Sequence, residues 1–156
     1  LAPEQPGSHK ALGFVYAASA QFALAEQSYQ RAIALDDNAW DALINMGDIL
    51  EIQGQIPAAL QYYEQAFAAM GRVYASQSAR IQPWYADMGA LIAEKHQQLT
   101  QLQQAESWYR HVLSFAPFNL RATRGLANLL SQAGDADAAL RLCQEYRERI
   151  GHNPCQ

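Results

Sequence analysis

The residues of this 156-residue chain whose spacing would reveal chemistry are four histidines, two cysteines and fifteen carboxylates. His9, His96, His111 and His152 are far apart, and neither they nor the cysteines form a closely spaced ligand set, so no metal site is expected. No glycine-rich phosphate loop and no Gly-x-Ser-x-Gly nucleophile turn occurs. Asp36-Asp37 and Asp135/Asp137 fall at turns or helix starts, where capping and dipole effects account for them. Cys143 lies in an apolar helical stripe with Leu140, Tyr146 and Ile150, and is expected to be a buried thiol rather than a bridge to Cys155. The chain is read as non-enzymatic, with no cofactor and no catalytic residue.

The elements that hold these residues are helical. Ala supplies 29 residues and Gln 18, against five Val and Thr together, a balance that favours helix and starves a sheet. Half the residues are hydrophobic and 17% are charged, enough apolar mass for a core. Eleven basic against fifteen acidic side chains leave a net charge of −4, which argues against a general nucleic-acid binder. No apolar run reaches the roughly 18–20 residues of a membrane span.

One pattern returns every 34 residues: Gly13 and Gly47, Ala25 and Ala59, Tyr29 and Tyr63, Ala32 and Ala66. A third copy runs through Tyr85, Met88-Gly89, Ala105, Tyr109 and Pro117. A fourth runs through Leu126-Ala127, Gly134, Ala139 and Cys143. Each has two apolar stripes at helical spacing separated by a breaker such as Gly54-Gln55-Ile56-Pro57 or Gly134-Asp135. Small residues at Gly13, Gly47, Gly89 and Ala127 would let paired helices approach, while Tyr16, Tyr29, Tyr63, Tyr109 and Tyr146 fill the core.

This spacing resembles the tetratricopeptide repeat (TPR), with its Leu-Gly-x2-Tyr, Ala-x3-Phe and closing Pro. The resemblance covers nearly the whole chain, with frames at 6–39, 40–73, 82–119 and 120–153, read as a single array. It implies an all-α fold: a right-handed superhelical solenoid of antiparallel helix pairs, eight main helices in all. Residues 1–5 read as the end of a preceding repeat, and the chain as a slice of a longer array. Residues 74–81 should prolong the helix before them until Pro83. Four extra residues within Glu94–Gln104, about one helical turn, should lengthen both helices of the third repeat. Ser8 and Asp37 or Asn38 are expected N-caps.

The resemblance implies a partner peptide or helix held in a concave groove lined by each repeat's first helix. The predicted lining is Lys10 and Phe14, then Asp41, Asn45, Asp48 and Glu51, then Asp87 and Glu94, and last Arg121, Arg124 and Asn128. Ala11, Ala17, Ile44, Ala86, Ala90 and Gln132 share that face. The two-carboxylate clamp of chaperone-tail binders fails here, because Phe14, Pro83 and Asp87 replace three of its five residues. What remains suits a segment with basic residues opposite the acids and an acidic group near Arg121 and Arg124. Phe14 is a candidate anchor.

The expected function is therefore a non-enzymatic protein–protein interaction scaffold with a protein or peptide partner. The alternatives are a regulatory or assembly arm of a larger enzyme, transcription regulator or cell-envelope secretion or polysaccharide-export machine, or a self-association module forming a homo-oligomer. No nucleic acid or membrane insertion is expected, and the expected compartment is the cytoplasm, with the periplasm as the alternative.

Overall fold

Alanine-rich segments bounded by Pro, Gly and Asx residues fold as antiparallel helix pairs in the computed structural model, which describes residues 5–75 and 83–155. Among these residues there are eight α-helices and no strand. The chain divides into two compact units, residues 1–78 and 79–156. The first holds α1 (Pro6–Ala18), α2 (Phe22–Leu35), α3 (Trp40–Ile52) and α4 (Ile56–Ala75). The second holds α5 (Pro83–Gln98), α6 (Leu102–Phe115), α7 (Leu120–Gln132) and α8 (Ala136–Ile150).

Each pair closes through the same three-residue turn. The amides of Gln21, Gln55, Gln101 and Asp135 reach back five residues to the carbonyls of Tyr16, Leu50, His96 and Leu130 at 2.8–2.9 Å. This Schellman closure needs a left-handed residue just before the donor. Ala20 (φ 55°), Gly54 (76°), Thr100 (59°) and Gly134 (88°) supply it. The breaker positions Gly54 and Gly134 are thus chain-reversal points, and Ala20 and Thr100 do the same work without glycine.

Counting from those turns sets the packing register. Gly13, Gly47, Ala93 and Ala127 stand seven residues before them; Tyr29, Tyr63, Tyr109 and Cys143 stand nine after. A Cβ on Gly13 would lie 2.6 Å from the Tyr29 ring, and one on Gly47 would collide with Tyr63. Tyr29 and Tyr63 anchor the first unit's core beside Met46, Ile49, Ala66 and Ala69. In the second unit, Tyr109 packs with Ala93, Ala105 and Leu126, and Cys143 with Ala127 and Ala139.

Several expectations need correction. The four-residue excess lies before the turn, in α5: Thr100 comes four positions later in its frame than Ala20, Gly54 and Gly134 do in theirs, while α6 keeps the 14 residues of α2. Extending one helix by a full turn keeps its apolar face on the same side, whereas the added turn moves Ala93, not Gly89, into the position facing the tyrosine. Ser8 lies inside the first turn of α1, which starts behind Gln5 with Pro6 at its first position, and α3 is preceded by Ala39 rather than by Asp37 or Asn38. Side-chain caps come instead from Asn119 to the Ala122 amide and from Asp135 to the Ala138 amide. Helix α4 runs through Tyr74 to Ala75; the rest of the expected extension, residues 76–81, and residues 1–4 of the expected preceding repeat lie outside the described residues.

Cys143 is not a free thiol: it is disulfide-bonded to Cys155 across a Cα–Cα distance of 6.1 Å. Gly151, left-handed at φ 88°, ends α8 and turns the chain back, which brings a residue twelve positions downstream to the middle of that helix.

Candidate partner-binding surfaces

In the first unit, the predicted surface residues find partners across neighbouring helices. Lys10 of α1 and Asp41 of α3 form an ion pair at 2.7 Å, half-exposed on both sides. Asp48 and Glu51, three residues apart on α3, both face the Tyr63 hydroxyl, at 2.8 and 2.9 Å. Burial, and then the hydrogen bond to Asp48, push the Tyr63 phenol well above its ordinary range. These two acids therefore hold a core tyrosine in place. Asn45 is half-buried, and Phe14 is 66% exposed. A groove of about 510 Å³ that sequence reasoning missed lies over α2, α3 and α4. Its wall is Arg72, which donates to the Asn38 side chain and the Asp37 carbonyl.

In the second unit, all five predicted residues line one open groove of about 520 Å³: Asp87 and Glu94 of α5, and Arg121, Arg124 and Asn128 of α7. Its floor is the hydroxyl end of Tyr109 against Gly125, where a Cβ would collide with that ring. Glu94 and Arg121 form a two-bond fork, Nε at 2.7 Å and Nη2 at 2.5 Å. That bond to Glu94 raises the Arg121 pKa further. Asp87 accepts from the Asn119 amide at 2.7 Å. Arg124 donates from Nε to the Pro154 carbonyl at 2.9 Å. Tyr109 is pushed up to about 12, by burial first and then by the negative charge of Glu94, with Arg121 opposing.

Two alanines expected on this face, Ala86 and Ala90, are instead buried in the α5–α6–α7 core and open nothing to a ligand. Sequence reasoning missed Gln97, Gly125 and Pro154. Gln97 comes from the extra turn of α5, where it accepts from the Tyr109 hydroxyl at 3.3 Å. Counting back from Thr100 would have found it, since Gln97 and Glu51 both stand three residues before their turns. Pro154 lies on the chain end that the disulfide and the His152–Tyr146 ring contact hold against α8. Among the described residues no cluster of His, Cys, Asp or Glu is placed to hold a metal, and no helix is long and apolar enough to cross a membrane.

Repeated helix pairs, closed by one turn geometry and built on a ring laid against a small residue, define a helical-repeat protein. The tetratricopeptide repeat family matches residues 28–61. Over 96% of its length the chain superimposes on 81% of MamA with a TM-score of 0.73 at 18% identity. It also superimposes, over 90% of its length, on 66% of YrrB, described as a TPR protein with an unusual peptide-binding site, with a TM-score of 0.65 at 16% identity. The Cellulose synthase 1 operon protein C of Komagataeibacter xylinus is 31% identical over 97% of this chain, which spans 11% of that relative's length. Residues 28–61 match a tetratricopeptide repeat, and the helix pairs have the fold of tetratricopeptide-repeat proteins.

Proposed function

We propose that this chain is a non-enzymatic interaction scaffold that holds a segment of a protein partner against the first helices of its repeats, within an envelope assembly that makes or exports polysaccharide. The α5–α7 groove carries the reading. It is open, polar, and floored by buried Tyr109, so a partner backbone can approach without disturbing the core. Its lining contains two acids and two arginines, a balanced set that suits a segment carrying both signs of charge. Likeness to a cellulose synthase operon protein supports the polysaccharide setting. The Cys143–Cys155 bridge supports an oxidising compartment, hence the periplasm rather than the cytoplasm.

A photo-crosslinking amino acid placed at Asn128 inside the groove, and at Gln144 on the exposed side of α8, tests this in cells. The expected result is a discrete envelope-protein adduct at Asn128, absent at Gln144 and lost on Arg124→Glu. Equal adducts at both positions, or none at Asn128, would remove the groove from the function.

A further inference from the structure

The two arginines of the α5–α7 groove are not equivalent. Arg121 spends Nε and Nη2 on Glu94, which cancels its charge. Arg124 meets no carboxylate among the described residues; its side chain makes one hydrogen bond, from Nε to the Pro154 carbonyl at 2.9 Å. A guanidinium can meet a carboxylate through Nε and one Nη, or through its two Nη groups. Pro154 occupies the first edge, so the paired Nη edge is the uncancelled positive charge of the groove.

The position of Pro154 depends on the bridge. Residues 151–155 follow the last helix, and their own backbone makes few bonds: Gly151 to the Arg147 carbonyl and Cys155 to the Asn153 side chain. Yet Pro154 is fully buried, because Cys155 is tied to Cys143 in the middle of α8 and the His152 ring sits edge-on to Tyr146 at 5.4 Å. Of the two bridge residues, Cys143 is buried and Cys155 is exposed.

We infer that the Cys143–Cys155 disulfide is a positioning device: by fixing the Pro154 carbonyl behind Arg124, it makes Arg124 the carboxylate-binding residue of the groove in the oxidised protein and withdraws that function on reduction. This rests on the reading of the groove as a partner site. The ligand is a carboxylate on the partner segment. Switching it off takes a dithiol, whose thiolate attacks the exposed Cys155 sulfur. The S–S bond breaks and Cys143 leaves as a thiolate that takes up a proton. The second thiol then displaces Cys155 in the same way, and the reductant ends as its own disulfide.

Side-chain NMR of the Arg124 Nε–H tests the lock and the ligand separately. Three probes are used: an acetylated, amidated Ala-Glu-Ala-Glu peptide, its glutamine counterpart, and that counterpart with a free C-terminal carboxylate. In the oxidised protein the Nε–H should exchange slowly with water. The glutamate peptide should shift Arg124 and Asn128 but not Arg121; a response to the third probe alone would assign the carboxylate to a chain end. In Cys155→Ser, and in wild type reduced by dithiol, Nε–H exchange should speed up at least tenfold and peptide affinity should fall at least fivefold, and reoxidation should restore both in the wild type but not in the variant. Equal exchange in the two redox states, equal peptide affinity in both, binding of the neutral amidated peptide as tight as the acidic one, or no binding in either state would each overturn the inference. A discrete Asn128 adduct alongside any of these would leave the scaffold reading standing.

Discussion

At the scale of single residues, the core tyrosines of the second and third repeats combine packing with polarity. Tyr63 lies over Gly47 while its hydroxyl is shared by Asp48 and Glu51, so the ring cannot swing away without giving up those bonds. Gly47→Ala would gain about 1 kcal/mol of helix propensity. Overpacking costs about 1–3 kcal/mol. Denaturant titration should therefore show a net loss of up to about 2 kcal/mol, whereas Gly7→Ala, with no atom within 4 Å of the new Cβ, should be neutral or stabilising. For the same reason Asp48→Lys is a poor probe of partner binding, since it strikes the fold first. Tyr109 gives a pH signature. Its phenol is pushed from 10 up to about 12, so the folded state keeps a proton that the unfolded chain gives up. Its contribution to stability is complete below pH 10 and declines as pH rises from 10 towards 12. Absorbance at 295 nm should show this tyrosine titrating late, and Tyr109→Phe should flatten the alkaline fall in melting temperature.

At the scale of elements, the four helix-pair turns share one conformation, but only Gly54 and Gly134 have the residue it favours. A left-handed residue with a Cβ costs about 1–2 kcal/mol, partly offset by the greater chain entropy that glycine loses on folding. Thr100→Gly should stabilise the protein by up to about 1 kcal/mol in thermal melts, and Ala20→Gly by less, because Thr is β-branched. The helices were legible in the sequence because turn, small residue and tyrosine recur at fixed offsets. The two glycine-free turns were not marked, so the third repeat was counted from its start and its register slipped by one turn, giving Gly89 in place of Ala93. The charged lining was legible residue by residue. Its pairings were not, because Lys10 with Asp41 and Glu94 with Arg121 join residues 31 and 27 apart, in different repeats.

At the scale of the whole molecule, the disulfide is the feature least visible beforehand, since Cys143 sits where a buried thiol would be equally at home. The bridge spans twelve residues, a loop whose closure contributes about 2–3 kcal/mol by the chain-entropy relation. Cys155→Ser should lower stability by about that much at unchanged helical circular dichroism, and the oxidised protein under a thiol reductant should match it. The tyrosine seats described above have a further consequence. A flat ring resting on bare backbone leaves almost no empty space, unlike branched aliphatic side chains meshed across a helix pair. Unfolding under hydrostatic pressure is driven by the voids that vanish when a chain opens. With Tyr29 over Gly13 and Tyr63 over Gly47 there is little such volume to release, so these helix pairs resist compression better than their modest aliphatic content suggests.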